Sequence, residues 1–412
     1  MIVNNLRVED ICSFIGGSQP AKSQFINELA PGYVRLIQTR DYKTDSYLTY
    51  IPQGSTKKFC DEEDVMIGRY GPPVFQICRG LKGAYNVALM KAKPKEGIDR
   101  EFLYYFLKQD SVFRYVDKLS ARTGGQTGVD LVSLNKYPVR VPCGLEEQQR
   151  LVAPLVYIDK KIDVNDSICD ELEAMVRTLY DYWFVQFDFP SNEGKPYKSS
   201  GGQMVFDKSL NSEVPDGWQV EKLKNLTSVI RRGISPKYVE EGGIPVLNQK
   251  CIRNQKISFK DGRRHKVALN NNDERLLKPF DVVVNSTGVG TLGRVAYVKR
   301  LLEKETTVDS HVSIVRANRD LISSQYLAWY LMKYQPVIES AANGSTGQVE
   351  LSKGFLENID VIIPSESIVQ DFIAFVEPIV SLLATREAEN EQLISVRDWL
   401  LPMLMNGQVT VK

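Results

Sequence analysis

Histidine is almost missing from this 412-residue chain, which holds only His265 and His311. So small a supply leaves no His-rich metal site and no reason to expect a nucleophile–base pair. The six cysteines (Cys12, Cys60, Cys78, Cys143, Cys169, Cys251) are scattered and never form C-x-x-C. That spacing fits reduced cytoplasmic thiols better than disulfides or zinc. No run approaches the ~18 uninterrupted apolar residues of a membrane span. The first residues, Met1-Ile2-Val3-Asn4-Asn5-Leu6-Arg7, lack the basic-then-apolar order of a secretory leader. There is no G-x-x-x-x-G-K-[ST] loop, so the chain is not itself an ATP motor, and no Asn-Pro-Pro-Tyr element to hold a flipped adenine. These absences predict a cytoplasmic protein with no membrane segment, no metal, no cofactor and no catalytic residue of its own.

Charge of one sign is also lacking overall, since the net charge is +1. It is not lacking locally. Residues 1–145 hold 20 Lys and Arg against 15 Asp and Glu, and residues 217–364 hold 22 against 15. The stretch 146–184 has 4 against 9, and 365–412 has 3 against 7. Two mildly basic bodies on acidic helical segments would touch phosphate through the bodies alone.

What is present is a repeat. Ala121-Arg122-Thr123-Gly124-Gly125-Gln126-Thr127-Gly128-Val129-Asp130-Leu131 returns about 220 residues later as Ala341-Ala342-Asn343-Gly344-Ser345-Thr346-Gly347-Gln348-Val349-Glu350-Leu351. Each copy is followed by a Pro-bounded strand, Tyr137–Pro142 or Ile359–Pro364, and a long helical pattern. Other segments match in order: Gly17–Pro20 with Gly233–Pro236, Gly32–Gln38 with Gly243–Gln249, Asp64–Ile67 with Asp281–Val284, and Phe102–Leu107 with Tyr326–Leu331. Helix-like starts are read at Arg7–Phe14 and Glu221–Val229. Each globule mixes short β-rich runs with a few helices, which makes the class α+β. The boundaries are 1–145 for the first globule, 146–184 for a long helix, and 185–216 for a turn-rich connector. The second globule is 217–364, a second long helix 365–402, and a C-terminal tail 403–412.

The helical stretches carry a heptad seam. Leu151, Leu155, Ile158, Ile162, Asn165, Cys169, Leu172, Val176, Leu179 and Trp183 recur at steps of four and three. Val369, Phe372, Val376, Ile379, Leu383, Arg386, Asn390, Leu393, Arg397 and Leu400 do the same. Antiparallel pairing about the midpoints would set Leu151 on Leu400, Trp183 on Val369 and Asn165 on Arg386, one polar pair fixing register. Pro154 and Pro378 suggest that the continuous helices start near them.

Two motifs mislead. Gly288-Val289-Gly290-Thr291-Leu292-Gly293 spells G-x-G-x-x-G after a strand, but the strand-like Arg294–Val298 follows where a dinucleotide fold needs a helix, so a hairpin is expected. Glu193-Gly194-Lys195 sits in the turn-rich connector with no acidic partner. The glycine loops admit phosphate contact or a tight hand-over from globule to helix, and we take them as hinges.

Read together, these residues resemble the DNA specificity subunits of type I restriction–modification systems. The resemblance rests on the duplicated Thr-Gly loops, the strands ending at Pro142 and Pro364, and Glu147-Gln148-Gln149-Arg150 at the first helix start. It also rests on the connector Leu179–Pro190, on Gly194–Gly202, and on Pro215-Asp216-Gly217-Trp218. The second helix start departs from it with Ile368-Val369-Gln370, and the first globule lacks a Gly-Trp start. The resemblance implies two target-recognition domains joined by two long antiparallel coiled-coil helices with pseudo-twofold symmetry. Each domain would read one half of a bipartite site in double-stranded DNA while the helices set the gap. It further implies a non-catalytic subunit bound by two DNA methyltransferase (modification) subunits, with two restriction/motor subunits in the full complex. Val152, Ile168, Ile373, Leu382 and Ile394, off the seam, are candidate contacts for partner helices.

Base readout needs side chains with directional hydrogen bonds. The candidates are Gln38, Arg40, Arg69, Tyr70 and Arg79 in the first globule, and Gln249, Lys250, Arg253, Arg263, Arg264 and Ser286 in the second. Fewer than half of them are expected to touch DNA. Two rivals remain: a stand-alone DNA-binding nuclease, which would cleave with Mg²⁺, and a two-domain protein scaffold, which would show no salt-dependent DNA affinity.

Overall fold

The computed structural model describes residues 3–70, 74–119, 122–123, 126–191, 193–267, 269–288, 290–341, 350–409 and 411. Gly124, Gly125, Gly344 and Gly347 of the two glycine loops lie outside the described residues. The chain divides into two compact units, 1–165 with 389–412, and 166–388.

The first globule contains β1 (Val3–Arg7), β2 (Cys12–Gly16), β3 (Tyr33–Ile37), β4 (Val65–Gly68), β5 (Ile77–Cys78), β6 (Gly83–Tyr85), β7 (Leu89–Pro94) and β8 (Pro138–Pro142). The second contains β9 (Gln219–Lys222), β10 (Thr227–Arg232), β11 (Ile244–Leu247), β12 (Val282–Asn285), β13 (Val295–Tyr297), β14 (Thr307–Val308), β15 (Val312–Ala317) and β16 (Asp360–Ile363). The sheet β2-β7-β4-β5 has its counterpart in β10-β15-β12-β13, antiparallel throughout. Beside it β3 runs parallel to β6, and β11 runs parallel to β14. The fold class is α+β with the frame built twice.

Each globule is closed by its first and last strands. β1 pairs antiparallel with β8, Val3 opposite Pro142, and β9 with β16, Gln219 opposite Ile363. A two-stranded ribbon has free edges, which is why it tolerates Pro138 and Pro142. The helices expected over Arg7–Phe14 and Glu221–Val229 shrink to single turns, Val8–Ile11 and Leu223–Leu226. Val8 and Ile11 bury an i, i+3 face, and the next five residues then satisfy their backbone on β7. The G-x-G-x-x-G segment, whose Val289 is outside the described residues, joins β12 to β13 as a hairpin with Val282 opposite Tyr297.

The helices Arg100–Leu107 and Ser324–Lys333 cover the sheets. Phe102, Leu103, Tyr105 and Phe106 pack with Val65, Ile67 and Met90, each buried to 4% or less. At about 1.5–3 kcal/mol per large apolar side chain removed from water, this layer is a main source of stability. In the second unit the connector adds its own core. Phe189 stacks on Trp218 (5.1 Å) and Tyr197 (4.6 Å), and Phe184 meets Phe372 edge-on (5.0 Å). The connector motif therefore packs as core. Lys195 merely pairs with Glu193 at 3.0 Å on its exposed turn.

Helix α1 (Leu145–Tyr180) and helix α2 (Glu366–Met405) are continuous through Pro154 and Pro378. An interior proline forfeits a hydrogen bond, about 3 kcal/mol, and the burial of Leu151 and Leu155 on either side of Pro154 offsets that loss. One 18-residue window of α2 reaches a mean hydropathy of 1.6, enough by length and composition for a membrane span. Yet Val369, Phe372, Val376 and Val380 of that helix are buried in the second core. Along the seam Leu155, Ile162, Asn165, Val376 and Leu383 are buried, and Ile158, Leu172, Ile379, Arg386 and Leu393 are half-buried.

The pairing register differs from the midpoint expectation by one turn. Asn165 Nδ2 donates to Asn390 Oδ1 (2.8 Å) and Glu389 Oε2 (2.9 Å), so its partner is not Arg386. Trp183 meets Phe372 (5.8 Å), three residues beyond Val369, and Leu151 shares a crevice with Leu404, four beyond Leu400. A one-turn slip leaves the apolar seam intact, so polar contacts decide. Besides Asn165, Asp159 Oδ1 accepts from Arg397 Nη1 at 2.9 Å.

Candidate nucleic-acid interface

The two globules superimpose in their hydrogen bonds, residue by residue. Gly17 N donates to Leu89 O, and Gly233 N to Val312 O. Both glycines are required by close approach: a β-carbon would stand 2.0 Å from Asn86 O at Gly17 and 1.9 Å from Val308 O at Gly233. Asn86 N reaches Ile37 O as Asp309 N reaches Leu247 O. Gln38 N donates to Asp41 Oδ2 (3.0 Å) where Asn248 N donates to Cys251 Sγ (3.3 Å). Gln38 therefore corresponds to Asn248, one residue before the Gln249 that sequence matching pairs with it.

At one end of each main sheet the strand tips and adjoining loops converge. In the first globule Arg69 N donates to Ala88 O (2.8 Å) and Val129 N to Arg69 O (3.2 Å), with Tyr70 bridged to Gly128. In the second, Ser286 N donates to His311 O (2.9 Å) and Leu351 N to Ser286 O (2.9 Å), with Thr287 bridged to Glu350. The equivalences are thus Arg69 with Ser286, Tyr70 with Thr287 and Ala88 with His311. The segments bordering the glycine loops, Gly128–Val129 and Glu350–Leu351, end at this same surface. The glycines read as hinges of the frame lie outside the described residues, while the segments flanking them are bound to these strand tips.

On this common frame the side chains differ. Arg69 lies over Tyr70 (5.1 Å) and reaches towards Gly16 of β2, where a β-carbon would stand 3.7 Å from Arg69 Nη1. Arg232 holds the place of Gly16 in the second globule, pairing with Glu350 and donating to Leu351 O (3.3 Å). Each globule puts an arginine here, from a different strand. Gln38 donates to Thr49 Oγ1 (3.3 Å), while exposed Arg40 lies over Tyr47 (5.4 Å). Thr39 abuts Gly68, which joins the tip of β3 to that of β4. Likewise Asn285 Nδ2 donates to Gln249 O (3.0 Å), and a β-carbon on Gly288 (φ +104°) would fall 2.5 Å from Gln249 Oε1. Lys250 and Arg253 are exposed nearby in sequence, and Arg263 stacks on Tyr238 (3.9 Å).

Three candidates are engaged elsewhere. Arg79 stacks on Tyr104 (3.9 Å) and pairs with Glu101 (2.6 Å) and Asp159 (3.5 Å), which ties the first globule to α1. Arg264 grips Glu303 with both Nη atoms (2.6 and 2.9 Å) and the carbonyls of Gly242 and Gly243. Ser286 is 1% exposed, its Oγ bonded to Ser313 Oγ (2.6 Å). In this structure the donors of Arg79 and Arg264 are engaged within the protein and Ser286 Oγ is buried. Sequence reasoning missed Arg232 and His311. The signal for His311 was the Asp309-Ser310-His311 turn before a strand, opposite Asn86-Val87-Ala88 in the repeat.

A parallel anchoring occurs in the second unit. Lys299, with a 7% exposed side chain, is held by Glu173 of α1 (2.8 Å) and Glu387 of α2 (2.7 Å). Burial alone would lower its ammonium, but the two carboxylates outweigh it and raise it above the usual lysine value. Of the proposed partner-helix contacts, Val152 is 1% exposed inside the first core, and Ile373 packs in the second. Leu382 is exposed, as are Tyr157, Val164, Met175, Phe375, Val396 and Trp399.

The sequence profile described as "Type I restriction modification DNA specificity domain" matches residues 3–174 and 215–394, one match for each globule with part of its helix. The chain belongs to this family. Its relatives include the type I restriction enzyme MjaIX specificity subunit of Methanocaldococcus jannaschii, 24% identical and covering 98% of this chain and 93% of that one. The HindI specificity subunit of Haemophilus influenzae is 21% identical over 75% of this chain and 77% of its own length. Among solved structures, the type I restriction–modification S subunit from M. genitalium aligns over 98% of this chain and 96% of that one, with a TM-score of 0.54 at 15% identity. A specificity subunit of a type I restriction–modification system serves DNA sequence recognition.

Proposed function

We propose that this chain reads a bipartite target in double-stranded DNA, one half-site per globule, while α1 and α2 set the gap. One observation carries the reading. Two copies of one frame present different side chains at equivalent strand-tip positions: Arg69, Tyr70, Ala88 and Gly16 in one, Ser286, Thr287, His311 and Arg232 in the other. A scaffold for identical partners would have no reason to vary those positions. Arg40, Lys250, Arg253 and Arg263 supply phosphate contacts, which position the readers without specifying sequence. The acidic helices stay off DNA, and their exposed apolar side chains (Tyr157, Val164, Phe375, Leu382 and Trp399) suit the two modification subunits that methylate adenine. Two restriction/motor subunits complete the assembly in the cytoplasm.

The test is co-expression with a cognate modification subunit and mapping of methylated adenines. A split motif with a fixed gap is the expected result, and unsplit or absent methylation overturns the proposal. Cleavage of DNA by the purified chain with Mg²⁺ would favour the nuclease reading instead.

A further inference from the structure

The equivalence of Ala88 and His311 has chemical content. In both globules the residue two before this position caps its backbone: Asn86 Oδ1 accepts from Ala88 N (3.1 Å), and Asp309 Oδ1 from His311 N (2.9 Å). In both, the carbonyl at this position accepts from the tip of the central strand. The backbone is therefore held identically, and only the side chain changes, from a methyl group to an imidazole. That imidazole is exposed, and it is fixed: Thr287 Oγ1 lies 2.6 Å from His311 Nδ1. Among the described residues Nε2 has no hydrogen-bond partner, so it is the one directional group left to point outward. Thr287 in turn is held by its backbone bridge to Glu350.

We propose that His311, clamped by Thr287, is a specificity-determining residue of the second globule, presenting Nε2 to a purine edge in the major groove of its half-site. The proposal rests on the reading of this surface as the DNA contact. Base readout demands a fixed donor or acceptor, whereas phosphate is satisfied by flexible cations such as Lys250. A side chain locked by a neighbour before binding meets that demand with little ordering cost. In the first globule Ala88 offers no hydrogen bond, and the fixed directional group comes from Arg69 over Tyr70. The two half-sites are thus read from different corners of one frame.

The test compares methylated-site maps for the full chain, His311→Ala, His311→Gln and Arg69→Ala, each co-expressed with the same modification subunit. His311→Ala is expected to lose about 5- to 150-fold discrimination at one base pair of one half-site, with the melting midpoint of the purified chain unchanged. His311→Gln, which keeps a donor and an acceptor, retains more discrimination there than His311→Ala. Arg69→Ala relaxes the other half-site. An unchanged His311→Ala motif overturns the proposal. So does methylation lowered equally at all sites, which would make His311 a phosphate contact, or relaxation in the same half as Arg69→Ala. A wild-type map without a split motif overturns the underlying reading instead.

Discussion

Arg69 and Arg79 stand ten residues apart and do opposite work. Arg69 lies over Tyr70 at a strand tip, where we propose that its guanidinium reads a base edge. Arg79 pairs with Glu101 and Asp159; burial would lower its guanidinium, but Tyr104 and Glu101 outweigh it and raise it. Arg69→Ala should cost about 1–3 kcal/mol of discrimination at one base pair and leave the melting midpoint alone. Arg79→Ala should lower that midpoint and leave the methylated motif unchanged. Thermal melts and site maps of both variants check the pair, and a relaxed motif for Arg79→Ala would refute the division. Side-chain type was legible in the sequence, and it limited the search to polar residues of the divergent loops. Engagement was not legible, because it depends on partners far along the chain. Arg264 meets Glu303 39 residues away, and Ser286 meets Ser313 27 away. Nor could periodicity reveal that His311 replaces Ala88, since that equivalence lies in backbone hydrogen bonds.

The long helices show which part of an element the sequence encodes openly. Steps of three and four announce the seam, and the seam residues are buried or half-buried. Register is hidden, because a slip of one turn lays the same apolar residues on one another. The polar pairs resolve it, Asn165 with Asn390 and Asp159 with Arg397. The latter pair makes a prediction about acid. Burial would raise the Asp159 carboxyl, but hydrogen bonds from Arg397 and Tyr105 outweigh it and hold the group below its usual value. A carboxyl lowered by folding stabilises the fold above its unfolded value of about 3.9, and that contribution is lost as pH falls through the lower folded value. Asp159→Asn should therefore cost about 1.5–3 kcal/mol at neutral pH, since it removes the charge-assisted bond from Arg397 and leaves that arginine with Asp398. It should also flatten the acid limb of stability below about pH 4. Urea melts of both proteins from pH 7 to pH 3 check this, and parallel acid limbs would contradict it.

For the whole molecule, the repeat now divides into a frame and what the frame carries. Gly17 and Gly233 recur because a carbonyl fills the space a β-carbon needs, and the parallel strand pairs and closing ribbons recur with them. This much the sequence displayed as ordered matches. The strand tips do not recur in side chain, and there the proposed half-site specificities diverge. We propose that α1 and α2 act as a ruler between two readers. Inserting four residues after Asn165 and four after Ala388 keeps the antiparallel partners matched. It adds about 6 Å and a net turn of about 40° to each helix. A base pair adds about 3.4 Å and about 35° of twist. Mapping methylated adenines for this variant should return both half-sites unchanged, with the gap longer by one or two base pairs. Both half-sites intact with the original gap would show that the helices do not set it.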